Sequence, residues 1–506
     1  MPQVLLLLPA LQGGDALRLS LDSALAQTLG DVRVLVCTNG ATPPELPADP
    51  RVTVVADEFR NLSSMKAYLF ARHAAEFVAE LPEGLELDRE ALERVVLAAK
   101  GAPRAAAFHG RVREITAGAA GEEARELSPR LWPGDLTERV NTGPFTVFRR
   151  AALLEGGNYD PAFNTAHEYD LRLRLTDRWD WHAVDAVLSV MRPRPQESSA
   201  ARQLGASKVF SPGEGPQGGF SYLFYGPAEE MEFETAFKNH LRRHDAYLSH
   251  LPATVKPVGE PGTVSVVIPF HNRGRFLDRA IASVLEGNWR KVEVICVDNC
   301  STDNGAEVVK AWAARDPRVR LLVNDRNVIA RALNLGVGHA TGRYIAQLDS
   351  DDEYTPRTLE AAVEGLEANP DWGLAISYYE LITEDGQPIP ELGIIKHLEY
   401  DPNNHLRVDG AGAVRVWHRA VIEEMGGFDE VTYGDFAEDY DLVARVAETY
   451  TVGKLHEVLY RYRRHPDNTD VKRSADMKIG NKTRIRHEAI ARRRELNRRL
   501  RGEAGA

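Results

Sequence analysis

The chain repeats itself, and the repeat narrows its fold more than any other feature. Val4–Pro9 (VLLLLP) has a counterpart in Ser265–Pro269 (SVVIP), each followed by a polar turn and a helical pattern, LRLSLDSALAQ in the first copy and FLDRAIASVLE in the second. The same order continues with VRVLVCTNG against VEVICVDNC, DPRVTVV against DPRVRLL, and FVAELPEGLELD against YIAQLDSDDEYT. It closes with FRRAALLEGGNYD against WHRAVIEEMGGFD, EYDLRLRL against DYDLVARV, and VLSVMRPRP against VLYRYRRHP. Self-similarity kept in order over so long a stretch implies two domains of one fold.

In the second copy, short apolar runs at Val264–Pro269, Val292–Val297, Val319–Val323 and Arg343–Leu348 alternate with helical patterns such as Phe276, Leu277, Ala280, Ile281, Val284 and Leu285. Thr355-Pro356 places a cap and a first-turn proline before a further helix. Continuously apolar strands separated by helices predict an α/β fold, a Rossmann-like and mostly parallel sheet covered on both faces. The expected layout is a first domain over residues 1–195, a connector over 196–262, a second domain over 263–470 and a helical tail over 471–506. The connector combines SPGEGPQGG and KPVGEPG with one helical pattern, Glu229–Tyr247.

Composition removes several alternatives. A chain of 506 residues, 43% hydrophobic and 27% charged, is an ordinary globular protein of several domains. No run reaches the length of an apolar membrane span, and Val4–Leu8 is too short and lacks the basic lead of a signal peptide. Three cysteines, Cys37, Cys296 and Cys300, fit neither a disulfide framework nor a zinc site, so a cytoplasmic location is expected. The net charge of −12 hides a tail, residues 472–501, with 12 Lys/Arg against 3 Asp/Glu, which leaves −21 on the rest. Such an arm is not a nucleic-acid footprint. It suits an anionic membrane surface, a contact with the acidic body of the same or another subunit, or a solvated amphipathic helix striped by Ile485, Ala489, Leu496 and Leu500.

In sheets of this class, ligands sit beyond the carboxyl ends of the strands. There the second copy places Asp298-Asn299-Cys300-Ser301-Thr302-Asp303 and Asp349-Ser350-Asp351-Asp352-Glu353. Four carboxylates in five positions repel one another unless a cation neutralises them, and hard oxygen ligands suit Mg²⁺ or Mn²⁺. The alternative is an acidic cap on the helix that follows. Cys296 and Cys300 have nothing nearby to lower a thiol pKa and are expected to be structural.

IPFHN at Ile268–Asn272, VDNCSTD at Val297–Asp303, ALNLG at Ala332–Gly336, LDSDD at Leu348–Asp352, GGFDE at Gly426–Glu430 and AEDYDL at Ala437–Leu442 occur in that order. This array resembles glycosyltransferase family 2, inverting sugar transferases of GT-A fold, over Thr263 to about Asp470, with a weaker echo over residues 1–195. The resemblance implies two GT-A-like domains in tandem and a nucleotide-sugar donor, with UDP favoured. It implies donor contacts from Pro269, Phe270, Asn272, Asp298, Asn299, Asn334, Asp349 and Ser350. It places Mn²⁺ or Mg²⁺ on Asp351, Asp349 and His465, makes Asp439 the general base, and offers Arg463 and Arg464 to the diphosphate. Asp441 fits a helix N-terminal role, and Trp417 and His418 fit core and helix-cap positions. The acceptor would be a hydroxyl of a glycan, a lipid-linked sugar or a protein, its site shaped by residues 380–409 or by the first domain.

Aligned on the repeat, the first copy lacks this chemistry. Asp298 faces Thr38, Asp349 faces Pro82, Asp351 faces Gly84, His465 faces Arg194, and Glu438-Asp439 faces His167-Glu168. Proline and glycine side chains hold no metal, so the first domain is expected to be a non-catalytic scaffold or docking module. Two other readings remain for the second copy. A nucleotidyltransferase would use a similar acidic site, with His271–Arg275 as a thin version of its basic loop. A non-catalytic sugar-nucleotide or carbohydrate-binding protein would not need Asp298, Asp349, Asp351 and Asp439 together.

Overall fold

A computed structural model of the chain describes residues 2–10, 13–42, 45–118, 121–129, 131–138, 142–192, 225–389, 394–396, 398–408 and 414–502. Two compact units emerge, Met1–His240 and Leu241–Ala506. The first part of the expected connector and Arg194 lie outside the described residues; the rest of the connector includes a helix, Pro227–Arg243.

The first unit builds one sheet from β1 (Val4–Pro9), β2 (Val32–Cys37), β3 (Val52–Val55), β4 (Phe77–Glu80), β5 (Leu85–Leu87), β6 (Ala105–Gly118), β7 (Gly121–Leu127), β8 (Thr146–Arg149) and β9 (Asp180–Met191). The second unit uses β10 (Val264–Phe270), β11 (Val292–Asp298), β12 (Val319–Val323), β13 (Tyr344–Gln347), β14 (Glu353–Tyr354), β15 (Trp372–Ile382), β16 (Ile394–Ile395), β17 (Arg415–His418) and β18 (Thr451–Arg463). The strand orders are β3-β2-β1-β4-β8-β6-β9-β5 and β12-β11-β10-β13-β17-β15-β18-β14, with β7 on β6 and β16 on β15. One order is the other renumbered, which is the repeat seen in space. Small details recur as well. Asp49–Arg51 and Asp316–Arg318 close the same ion-paired turn at 2.8 and 2.7 Å.

The α/β architecture is as expected, but the sheets are mixed. Parallel pairing joins β12, β11, β10 and β13. Beyond β13, β17 runs antiparallel to both β13 and β15, and β14 runs antiparallel to β18. These later strands are shorter or interrupted by polar residues, so an apolar run does not announce them. Strand β1 shows why the sheet is covered on both faces. Val4, Leu6 and Leu8 enter one apolar core while Leu5 and Leu7 enter the other.

The tail forms helix Ala475–Leu500, capped by Ser474, whose Oγ accepts from Met477 N at 3.2 Å. Ile485 and Ala489 are buried, as the stripe requires, while Leu500 is exposed. Arg486 and Arg493 are buried too. They donate to the Leu406 and Pro402 carbonyls at 2.6 and 2.8 Å, and Arg492 pairs with Glu448 at 2.8 Å. Part of the tail's positive charge is thus spent on the body of its own unit rather than held out to solvent. All three cysteines are free. Among the described residues no helix is long and apolar enough to cross a membrane.

Candidate active site

The loop after β10 and the loop after β11 are laced together by Asn272. Its backbone sits at φ 54°, a left-handed conformation that asparagine tolerates better than most residues. From there its Oδ1 accepts from Thr302 N at 2.7 Å and Asp303 N at 3.3 Å. Asp298 ends β11 buried, and its Oδ1 accepts from Ser301 N at 2.8 Å. Asn299 is fixed by Asn324 at 2.7 Å and Asn327 at 3.0 Å. Pro269 and Phe270 lie buried in the end of β10, with the Phe270 carbonyl taken by Asn299 N. Five of the eight residues expected to meet the donor, Pro269, Phe270, Asn272, Asp298 and Asn299, therefore lie at the ends of two adjacent strands.

The acidic run divides into two roles. Asp352 is buried and accepts from Tyr460 Oη and Arg463 N, each at 2.7 Å. Burial, with the Asp351 and Asp349 charges beside it, pushes its carboxyl well above the usual range. Glu353 pairs with Arg463. The Arg463 guanidinium is fully buried and also donates to the carbonyls of Asp351 at 2.7 Å and Glu384 at 2.8 Å. It shapes the acidic loop from beneath and has no edge to offer a diphosphate, contrary to the sequence expectation.

Asp349 and Asp351 have other partners. Burial pushes the Asp349 carboxyl up to about 6, with Asp351 and Asp439 adding to the effect and Arg415 opposing it. Burial also opposes ionisation of Asp351, but the His465 hydrogen bond and the Arg273 charge hold its carboxyl below the usual range. Both partners sit on one oxygen. Arg273 Nε is 3.1 Å and His465 Nε2 2.9 Å from Asp351 Oδ2.

His465, expected as a metal ligand, meets Asp351 Oδ2 through Nε2 while Asp467 N donates to its Nδ1 at 3.2 Å. Held from both sides, the ring orients the Asp351 carboxylate. Asp349 and Asp351 supply the oxygen ligands, and among the described residues no hydrogen bond reaches the second oxygen of Asp351. A partly buried, oxygen-only pair in which the Asp351 charge raises the Asp349 carboxyl fits a divalent cation that keeps water or phosphate ligands. Among the described residues, Asp349, Asp351 and His465 do not gather all three ligand atoms within 4.8 Å of one another.

Asp439 lies in the first turn of helix Glu438–Val446, about one quarter exposed (26%). The helix is entered through Ala437 at φ 73°. Arg415, which opens β17 opposite Gln347 of β13, reaches Asp439 Oδ2 with Nη2 at 2.5 Å. The neighbouring acid, Asp441, pairs with Arg445 at 2.7 Å, and Arg445 holds the Gly427 carbonyl at 2.8 Å. That structural role recurs as Asp170–Arg174, also at 2.7 Å, in the first unit. Sequence reasoning missed Arg415, and it met Arg273 only within the thin basic loop of a nucleotidyltransferase reading. The signals were a charged residue opening an otherwise apolar strand, RVWH, and a basic residue directly after IPFHN.

The remaining expected residues are placed as follows. Asn334 Nδ2 donates to the Phe428 carbonyl at 2.9 Å and Glu430 Oε1 at 2.8 Å, while its Oδ1 accepts from Phe428 N at 2.9 Å. Its amide is thus spent on the GGFDE turn, away from the strand-end loops. Ser350 is buried within the acidic loop, and Trp417 is core. His418 precedes helix Arg419–Glu424 without capping it through its side chain. Residues 390–393, 397 and 409 of the expected acceptor segment lie outside the described residues.

The corresponding strand ends of the first unit lack counterparts of Asp298, Asp349 and Asp351, although Glu80 ends β4 and Glu83 follows it. Thr38 follows β2, and Pro82 and Gly84 follow β4. Near them Lys66 is buried with Nζ 2.5 Å from Glu80 and 2.6 Å from Glu168. Tyr159 Oη adds a hydrogen bond to Glu168 at 2.9 Å. A fixed internal cation already pairs with both acids.

The geometry can be set beside known proteins. The family model described as "Glycosyl transferase family 2" matches residues 265–425. The chain is 30% identical to EpsE of Bacillus subtilis, which is named a glycosyltransferase, over 40% of this chain and 74% of that one. It is 28% identical to a hyaluronan synthase of Pasteurella multocida, over 45% of this chain and 23% of the synthase. Among solved structures, S. aureus TarS residues 1–349 with UDP-GlcNAc aligns at 17% identity and a TM-score of 0.36, over 42% of this chain and 61% of that one. The chain spans about a quarter of the length of the first curated relatives it matches.

Proposed function

The chain belongs to glycosyl transferase family 2, and on that premise we propose that its second unit moves a sugar from a nucleotide-sugar, with UDP the favoured nucleotide, to a hydroxyl of a glycan, lipid-linked or protein acceptor. The observation that carries this reading is the convergence of Asp298, Asp349 and Asp351 at strand ends, with Asp439 joined to the same cluster through Arg415.

In this reading the loops after β10 and β11 hold the nucleotide, and Asp349 and Asp351 hold Mn²⁺ or Mg²⁺. When bound, the ion neutralises charge on the departing nucleoside diphosphate. Asp439 accepts the acceptor hydroxyl's proton. The oxygen then bonds to the anomeric carbon as the bond from that carbon to the diphosphate breaks, inverting the centre in one displacement. His465 fixes the carboxylate plane of Asp351. Arg463, from below, keeps the acidic loop in shape.

The same reading assigns residues 263–470 as the catalytic domain and the first unit as a non-catalytic relative of it. The Lys66 ion pairs support that assignment, because they occupy the acids that a metal or a proton would need. The free cysteines suit a cytoplasmic protein, and any membrane contact of the tail falls to its exposed cations, such as Arg484 and Arg498. A nucleotidyltransferase is disfavoured by the match of residues 265–425 to glycosyl transferase family 2. The test is release of UDP from a panel of UDP-sugars with Mn²⁺ and simple sugar acceptors. It should be present in the intact chain and lost in Asp351→Asn.

A further inference from the structure

Two guanidinium groups stand on the carboxylates of this reaction without a part in it so far: Arg415 on Asp439 and Arg273 on Asp351. Arg273 is the more telling. It lies between β10 and helix Gly274–Leu285, in the loop assigned to the donor, and its side chain is 16% exposed. Nη2 donates to the Asp467 carbonyl at 2.7 Å, and Nη1 lies 3.3 Å from the Asn272 carbonyl. Only Nε, at 3.1 Å, meets Asp351. The terminal nitrogens are tethered to neutral carbonyls while the inner edge carries the ion pair.

That arrangement is at odds with a divalent cation on the same carboxylate. An ion on Asp351 would stand beside a fixed positive charge in a partly buried site, where like charges repel strongly. The diphosphate that accompanies the ion is in turn a natural partner for a guanidinium edge. We propose that Arg273 is the resident counter-ion of Asp351, which competes with the divalent cation for that carboxylate and, once displaced, turns its Nε edge to the donor's diphosphate. The proposal rests on the metal-dependent reading above and adds to it a role for a residue in the donor loop.

The proposal makes two effects of opposite sign. In Arg273→Gln, Mn²⁺ alone should bind the intact protein about three- to tenfold more tightly, the range expected for loss of one partly exposed charge interaction. In the same variant, UDP at saturating Mn²⁺ should bind about three- to tenfold more weakly, since one charged contact to phosphate is gone. Arg273→Lys, which keeps the charge, should leave Mn²⁺ affinity near that of the parent. Mn²⁺ binding is read by loss of the free-ion electron paramagnetic resonance signal, and UDP binding by calorimetry. Mn²⁺ affinity that is unchanged or lower in Arg273→Gln, or UDP affinity that is unchanged or higher, overturns the proposal. Asp351→Asn separates it from its premise. If that variant binds Mn²⁺ as the parent does, the metal-site reading itself fails, whatever Arg273 does. A misfolded variant would weaken both ligands together and so would count against the proposal.

Discussion

Arg415 Nη2 lies 2.5 Å from Asp439 Oδ2, and the same guanidinium opposes the rise in the Asp349 carboxyl. One cation on β17 therefore joins the carboxylate proposed as base to a carboxylate proposed as metal ligand. The pairing of β13 with β17 places it there, since Arg415 sits directly opposite Gln347, two residues before Asp349. A base held by a guanidinium keeps its orientation before the acceptor arrives.

That link makes metal binding pH-dependent in a stated direction. Asp349 titrates near 6 in the folded protein, above the ordinary carboxylate, so its charged form is disfavoured by burial and a cation must displace the proton. Apparent Mn²⁺ affinity should rise with pH and level off above about 6. Arg415→Gln removes the opposing charge, so the whole curve should move to higher pH, by roughly one unit. Mn²⁺ titrations between pH 5 and 8 check this. A curve that stays in place, or moves to lower pH, contradicts the arrangement.

The first unit offers a stability test. Lys66 is buried, and its two counter-charges are Glu80 and Glu168. Glu80→Gln with Glu168→Gln leaves a buried ammonium without a charged partner and should cost about 3–5 kcal/mol. Adding Lys66→Met removes the stranded charge and should recover most of that loss. Urea unfolding of the intact chain, read from the transition of the first unit, distinguishes this from a cluster in which each residue acts alone.

Arg463 gives a test in the second unit. Its guanidinium satisfies the Asp351 and Glu384 carbonyls and the Glu353 carboxylate from a fully buried position. Arg463→Met should cost about 2–4 kcal/mol, through unpaired acceptors and a stranded acid, and should weaken Mn²⁺ binding although no ligand is removed. Arg463→Lys should recover little, because one ammonium cannot span the same acceptors. The measurements are thermal unfolding and Mn²⁺ affinity on the same samples.

Much of this was legible in the sequence where the physics is local. Strands such as Val264–Phe270 are continuously apolar because both faces are covered, and the acids that follow them stand at the end where such sheets bind ligands. The order of segments around Asp298, Asp349, Asp351 and Asp439 carried the family resemblance directly. What was not legible depends on partners distant in the chain. Arg463 reads as a diphosphate contact until carbonyls some eighty residues upstream close on it. Asn334 reads as a donor contact until the backbone of Phe428 takes its amide. Arg486 and Arg493 break the apolar stripe of the tail, yet they are buried, with the Leu406 and Pro402 carbonyls accepting from them. His465 was placed beside the right carboxylate, but its second tie, to the Asp467 amide, was not legible.

The central claim is that sugar transfer belongs to the second unit alone and runs through Asp351 and Asp439. Its most direct test is Mn²⁺-dependent UDP release from UDP-sugars, measured side by side for the parent chain, Asp351→Asn, Asp439→Asn and Glu168→Gln. The account predicts turnover in the parent and in Glu168→Gln. It predicts loss of Mn²⁺ binding in Asp351→Asn, and a fall of about 10²–10⁴ in turnover with Mn²⁺ still bound in Asp439→Asn. Turnover that survives in both second-unit variants, or that disappears in Glu168→Gln while the fold is intact, would contradict it.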